Sequence, residues 1–419
     1  VPVIGSDSHS PCDLLGEVTM TEMNGRRRLQ PSIRALAQVA VIGVYLETLF
    51  YVVPRDWVGY KFIHLLFDYK HGPARRSLEG EILRHLVAPP YSVGFFHWFA
   101  NLQLLAAILL FMLVTWMIAA RSGSASRFVL ALLIVSSPTT FKNLLFDQGR
   151  QDILGVIALE SSMLLGFLDS AGPLSIFLSV VTVPLALINE NLLLLYLPAC
   201  LAIHGCRLIG CAPGRTLPRW LKFAPFMVFA GACLVCVMMP APRISQDAYH
   251  AYLQTKSVQR LAPGEPERWL YSNASDNFAF ARESWPRFRD RQWARLPTYL
   301  LFGAVLVGCC TLVGRSVRAK GVRGPVLYAA GLACLLPGYA VLFLGAGDVA
   351  RWFANLNLAF LLYSHWYLSW AEADPPVRFW LPAVPIAAFQ MAMISGFGVV
   401  YPVFDFATAF RWLTRLCSG

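Results

Sequence analysis

An aspartate at position 68 is followed, across a Gly72-Pro73 turn, by the adjacent arginines Arg75 and Arg76. A carboxylate can take the proton of a hydroxyl, and guanidiniums hold phosphate oxygens through paired N–H bonds. The combination suits a site that handles an acceptor hydroxyl and a phosphate together. Asp68 is the preferred acid and Asp56, in Asp56-Trp57-Val58-Gly59-Tyr60-Lys61, the second. The same stretch also fits an amphipathic interfacial helix whose basic side chains reach for headgroups.

Three further clusters carry charge. Phe146-Asp147-Gln148-Gly149-Arg150-Gln151-Asp152 opens an apolar run. Acids there could be helix caps, but Arg150 opposes the helix dipole and asks for a local ion-pair network. Glu190 stands between Asn189 and Asn191 where two apolar runs meet. It is either a solvated turn residue or an ionisable group kept at the membrane for a function. Asp348 and Arg351 are spaced to pair on a helix, with Trp352 suited to an interface belt. Glu47 and Glu160 fall inside apolar runs, where each needs a cavity or a partner.

Other residues say less. Trp285-Pro286-Arg287-Phe288-Arg289-Asp290-Arg291-Gln292-Trp293 suits sugar stacking or, better, a helix lying on a membrane surface. Asn273-Ala274-Ser275 is a weak glycosylation sequon. Cys233 and Cys236 sit in an apolar run, and no His/Cys set has zinc spacing. His64, His71, His85 and His97 are scattered. A divalent metal ion on Asp68 and other acids is compatible with the residue types, but nothing in the spacing demands one. P-loop, dinucleotide-binding and nucleophile-elbow motifs are missing, which argues against ATP hydrolysis and soluble-type dehydrogenase chemistry.

The elements that must position these residues are hydrophobic. Of 419 residues, 57% are hydrophobic and only 14% charged, against about 25% charged in ordinary soluble proteins. The mean hydropathy is +0.54. That composition excludes a water-soluble domain, a disordered chain and, with 10 Cys, a disulfide scaffold. An all-α fold is expected: a polytopic transmembrane helix bundle of about 11 spans. The spans read as about 35–53, 92–119, 128–141, 153–169, 172–188, 191–209, 223–241, 297–314, 325–345, 352–370 and 378–401. Residues 1–34 read as a cytoplasmic tail, 35–401 as the transmembrane domain with sizeable outer loops at about 54–91 and 242–296, and 402–419 as a C-terminal tail. The first run is too long for a typical signal peptide and reads as an uncleaved helix. With a net charge of +11 the chain carries basic loops suited to lipid headgroups, and no nucleic-acid motif competes. Alternate loops share a face, so 54–91, 142–152, 189–190, 242–296 and 346–351 are expected on one side, with the acids and paired charges.

This layout resembles the GT-C class of membrane glycosyltransferases. It also looks like polytopic proteins of bacterial surface-polysaccharide assembly. The matching residues are Asp68, Arg75-Arg76-Ser77-Leu78-Glu79-Gly80, Arg150-Gln151-Asp152, Glu190 and Asp348-Val349-Ala350-Arg351-Trp352. The resemblance implies transfer of a sugar from a polyprenyl-phosphate carrier to a glycan or lipid acceptor at the outer face of a bacterial inner membrane. Asp68 or Asp56 would be the base. Arg75, Arg76, Arg150 and Arg351 would hold the lipid phosphate, while Asp152, Glu190 and Asp348 orient the acceptor or those arginines. The adjacent acid pair that many GT-C members carry in the first loop is missing. A polymerase or ligase of lipid-linked repeat units shares most of this logic. A flippase would instead place charges near the bilayer midplane and often show two related halves.

Overall fold

A computed structural model describes residues 62–121, 125–146, 149–168, 170–210, 218–261, 268, 270–272, 274–318, 323–345, 349–373 and a few positions between 382 and 390. The described chain is helical, with one isolated parallel bridge between Tyr91 and Ser257. A 3-10 turn at Ile63–Leu66 precedes α1 (Leu78–Leu86), α2 (Val93–Arg121), α3 (Ala125–Ser136), α4 (Phe141–Phe146), α5 (Asp152–Gly166), α6 (Gly172–Ile188) and α7 (Asn191–Leu195). Then come α8 (Leu197–Gly210), α9 (Arg219–Met238), α10 (Gln246–Gln254), α11 (Ala274–Arg318), α12 (Arg323–Gly345) and α13 (Val349–Trp370).

Among the described residues, four helical stretches are long and apolar enough to cross a membrane: Val93–Ile118, Arg219–Met238, Arg295–Arg318 and Arg323–Leu344. They expose apolar side chains that water would not tolerate over such lengths. On α9, Trp220, Met227 and Val237 are 71%, 70% and 83% exposed. The other expected spans differ in form. The 128–141 run stops at Ser136, where a Ser137–Thr140 turn ends α3. The 191–209 run is broken at Tyr196 into α7 and α8. Helices α5 and α6 have 15 and 17 residues, short of the roughly 20 a span needs. The runs at 35–53 and 378–401 fall outside the described residues or nearly so.

The core gathers on α13. That helix is buried along almost its whole length and packs against α3, α5, α11 and α12. Helix α5 in turn packs on α2, α6 and α8. Trp352, expected at an interface, is 3% exposed and lies in this core. In such an interior a hydroxyl needs a local partner. Ser162, Thr182 and Ser369 each donate to the carbonyl four residues earlier.

A second, smaller core joins the two long loops. Phe62, Phe67, Phe96, Tyr249 and Leu253 pack together. The tryptophan-flanked 285–293 segment is helical, and α11 runs on from it without a break into the Arg295–Arg318 span. At 1.5 Å per residue a 45-residue helix is about 68 Å long, more than twice a bilayer's hydrocarbon core, so its first half projects beyond it.

One close approach sets the site. A Cβ on Gly80 would lie 2.0 Å from the Phe67 carbonyl oxygen and 2.6 Å from that of Leu65. Only glycine lets α1 press its backbone against the chain just before Asp68, which fixes Glu79 and Asp68 relative to each other.

Candidate functional site

The charged residues form two groups joined through α1. In the first, Asp68 is buried with a fully covered side chain and ties the two long loops together. Its Oδ2 accepts from Lys256 Nζ at 2.5 Å and from the Tyr252 hydroxyl at 2.6 Å. Its Oδ1 accepts from the Lys70 backbone N–H at 3.1 Å. Lys256 Nζ also donates to the Leu66 carbonyl at 2.7 Å, and Arg84 stands 3.8 Å from Asp68. Burial raises the Asp68 pKa, but the bonds from Lys256 and Tyr252 outweigh it and hold the carboxyl below its usual range. Lys70 and Lys256 each bring an ammonium to 4.8 Å from the centre of the Tyr252 ring. Asp68 is thus engaged by the other loop rather than by Arg75 and Arg76.

The second group draws on four chain segments. Arg76 donates from Nε to both Glu190 oxygens at 3.0 Å and from Nη2 to Oε1 at 2.5 Å. Its φ of 61° puts a non-glycine residue in the left-handed region, a strain of the kind found at functional sites. Burial pushes the Glu190 carboxyl up, and the charges of Arg76 and then Arg75 bring it below the ordinary value. Arg75 also donates to the Ser272 carbonyl. Arg351 clamps Asp152 in a two-pronged pair, with both bonds 2.6 Å. Asn355 adds a bond of 2.9 Å to Asp152 Oδ2 and accepts one of 2.8 Å from the Tyr196 hydroxyl. The spacing of Asp348 and Arg351 suggested they would pair; Arg351 instead reaches across to α5. Asp348, Asp56, Asp147 and Glu47 lie outside the described residues.

Between these pairs sit His64 and Glu79. Burial lowers the His64 pKa to about 3, assisted by the positive charges of Arg150, Arg76 and Arg351 and opposed by Asp152. All three arginines lie within electrostatic range of that ring. Glu79, 5% exposed, accepts from Gln103 at 2.7 Å and from Gln151 at 2.9 Å, and His64 lies 3.7 Å away. With His64 neutral, no cation forms an ion pair with Glu79 within the described residues. Burial raises its pKa above the ordinary value against the two amide bonds.

A group whose folded pKa is raised favours the folded state below its unfolded value and withdraws that contribution as pH climbs through the folded one. Stability should therefore fall as pH rises from about 4.5. Glu79→Gln should flatten that slope, as measured by thermal unfolding of the purified protein across pH. An unchanged slope would count against this assignment.

Glu160 is fully buried in α5, and neither carboxyl oxygen has a hydrogen-bond partner among the described residues. It takes no part in either group.

Sequence reasoning missed Lys256, Tyr252, Glu79, Gln103 and Asn355 as members of the site. Asn355 was within reach, because it stands one helical turn after Arg351 and so shares its face. Gln103, one of the few polar residues in the apolar run 92–119, was the other available signal.

These features define a class: a protein whose described residues are helical, with four membrane-length apolar helices among them and a buried arginine–carboxylate cluster. Compared with protein-family models, curated proteins and solved structures, the chain matches none.

Proposed function

We propose that the protein is a membrane glycosyltransferase that moves a sugar from a polyprenyl-phosphate carrier to a glycan or lipid acceptor. The acceptor would be met at the outer face of a bacterial inner membrane, within a bundle of about 11 spans. One observation carries the reading. Arg75, Arg76, Arg150 and Arg351 gather where Asp152 and Glu190 are the two ion-paired carboxylates. Four guanidiniums lie in this cluster, and guanidinium forks fit phosphate.

The acceptor oxygen forms a bond to the anomeric carbon as that carbon's bond to the phosphate oxygen breaks. The polyprenyl phosphate leaves with the electron pair, its charge stabilised by the arginines. The hydroxyl proton goes to a carboxylate. Each of Asp68 and Asp152 has one oxygen that accepts a single bond. The Asp68 side chain is fully covered, whereas Asp152 lines a pocket beside Arg150. Asp152 is therefore the better-placed proton acceptor, with Asp68 fastening the loops above it.

The test is mass spectrometry of envelope glycans and polyprenyl-linked sugars in wild type, a deletion strain, and the deletion carrying Asp152→Asn. Loss of one sugar from a glycan, with its carrier accumulating in both mutants, is the expected result. Loss of long polymer with single repeat units retained would point to a polymerase. An unchanged glycan profile in the deletion would end the reading.

A further inference from the structure

Helix α2 carries an exposed apolar stripe at Trp98, Leu102, Leu105, Leu109, Leu113 and Trp116. Steps of three or four residues keep these side chains on one face. From Trp98 to Trp116 the helix rises about 27 Å, at about 1.5 Å per residue. A bilayer's hydrocarbon core is about 30 Å thick, and tryptophans gather at its two boundaries. The stripe therefore sets α2 in the bilayer, with Trp98 at one boundary.

Helix α1 runs antiparallel beside the first turns of α2. Near its start, Glu79 accepts from Gln103 at 2.7 Å. Just past its end, the Tyr91 hydroxyl donates to the Val87 carbonyl at 3.1 Å, and the Tyr91 ring stacks on Phe95 at 5.0 Å. Gln103 lies about 8 Å beyond Trp98 towards the bilayer centre, whereas Phe95 lies on the other side of Trp98. Three faces divide α1. Glu79, Gly80 and Leu83 are buried. Glu81 and Arg84 pair at 2.5 Å on the side of Asp68. Ile82 and Leu86, one turn apart, are 47% and 73% exposed.

We propose that α1 is immersed in the bilayer leaflet on the Trp98 side, with Ile82 and Leu86 against acyl chains. Three observations select lipid over water or a protein partner. The start of α1 stands level with Gln103, inside the boundary that Trp98 marks. Its charged residues turn away from the apolar face, Glu81 and Arg84 towards Asp68, and His85 bonds Glu81 at 3.0 Å. The exposed face is also continuous with the stripe on α2, ring by ring through Tyr91, Phe95 and Trp98. Arg150 and Asp152 line a pocket with Ala100, Gln103 and Leu104, so the arginine–carboxylate cluster shares this depth. Beneath the headgroups an unpaired charge is expensive, in keeping with the close pairs Arg76–Glu190 and Arg351–Asp152. None of this depends on the transferase reading.

The test places a photoreactive benzophenone residue, one at a time, at Ile82, Leu86, Trp98 or Asp247 of the full-length chain in phosphatidylcholine nanodiscs. Asp247 is exposed on α10 and serves as the water-side position. After irradiation, intact mass reads covalent phospholipid. Phospholipase C then strips phosphocholine from any adduct made through an acyl chain. Positions 82 and 86 should give as much phospholipid adduct as 98, and position 247 none above an unirradiated sample. The adducts at 82 and 86 should keep diacylglycerol after digestion. No adduct at either 82 or 86 puts this face in water and overturns the immersion. Adducts that keep phosphocholine place α1 among the headgroups and overturn it as well. A crosslinked second copy of the chain assigns the face to a dimer instead.

Discussion

Replacing Arg351 by methionine should destabilise the protein by about 3–5 kcal/mol and abolish its activity. The pair it forms with Asp152 is buried on both sides, with side chains 8% and 4% exposed. Removing the cation leaves a carboxylate in an interior that cannot solvate it, held by Asn355 alone. Much of the loss is the penalty of the orphaned charge, not the worth of the pair, and this separates structure from function. Replacing Asp152 by leucine in the same chain should recover most of the stability, because a buried ion pair is often matched by apolar residues of similar volume. It should recover no activity, since both the guanidinium and the carboxylate are then gone. Thermal unfolding in detergent, with glycan profiles of the same strains, reads both quantities. A double variant that regained activity would show that the pair serves only the fold.

The second large effect is expected at Lys256→Met. Asp68 would remain buried with only the longer cation contact to Arg84, at 3.8 Å, and about 3 kcal/mol should be lost by the argument just given. The consequence differs in kind, because Asp68 and Lys256 fasten the loop at 54–91 to the loop at 242–296. The neighbouring bonds are weaker: Arg243 N–H to the His71 carbonyl at 2.9 Å, and Val258 N–H to the Tyr91 carbonyl at 3.0 Å. Loss of the buried pair should open this junction before the bundle unfolds. Limited proteolysis should then cut near 242–261 in the variant and leave the wild type intact there.

The pH dependence follows from the same pair. Asp68 is held below its ordinary value of 3.8, so its contribution is present above that value and is lost as pH falls through the lower folded one. The wild type should therefore lose stability in strong acid, and Lys256→Met should lack most of that fall. Cleavage and acid profiles identical to wild type would remove the latch.

A good part of the fold was legible because hydrophobicity is a local property. Runs such as 92–119, 223–241, 297–314 and 325–345 are apolar whatever surrounds them, and each coincides with a membrane-length helix. The residue types for a charged cluster were equally plain, since Arg75, Arg76, Arg150 and Arg351 stand beside acids in otherwise apolar sequence. Proximity along the chain suggested the wrong partners. Arg351 was expected to pair with Asp348, three residues away, and pairs with Asp152 on a different helix. Asp68 was expected to work with Arg75 and Arg76 and is engaged by Lys256 and Tyr252. An ion pair depends on which charge is brought within a few ångströms in a low-dielectric interior, and separation in sequence says nothing about that. The packing of α13 on α5 brings Arg351 to Asp152, and the glycine contact that seats α1 sets Glu79 behind Gln103. By itself the sequence determined that the chain forms long apolar helices and carries arginines near their ends. Only the tertiary structure decided which carboxylates those arginines face.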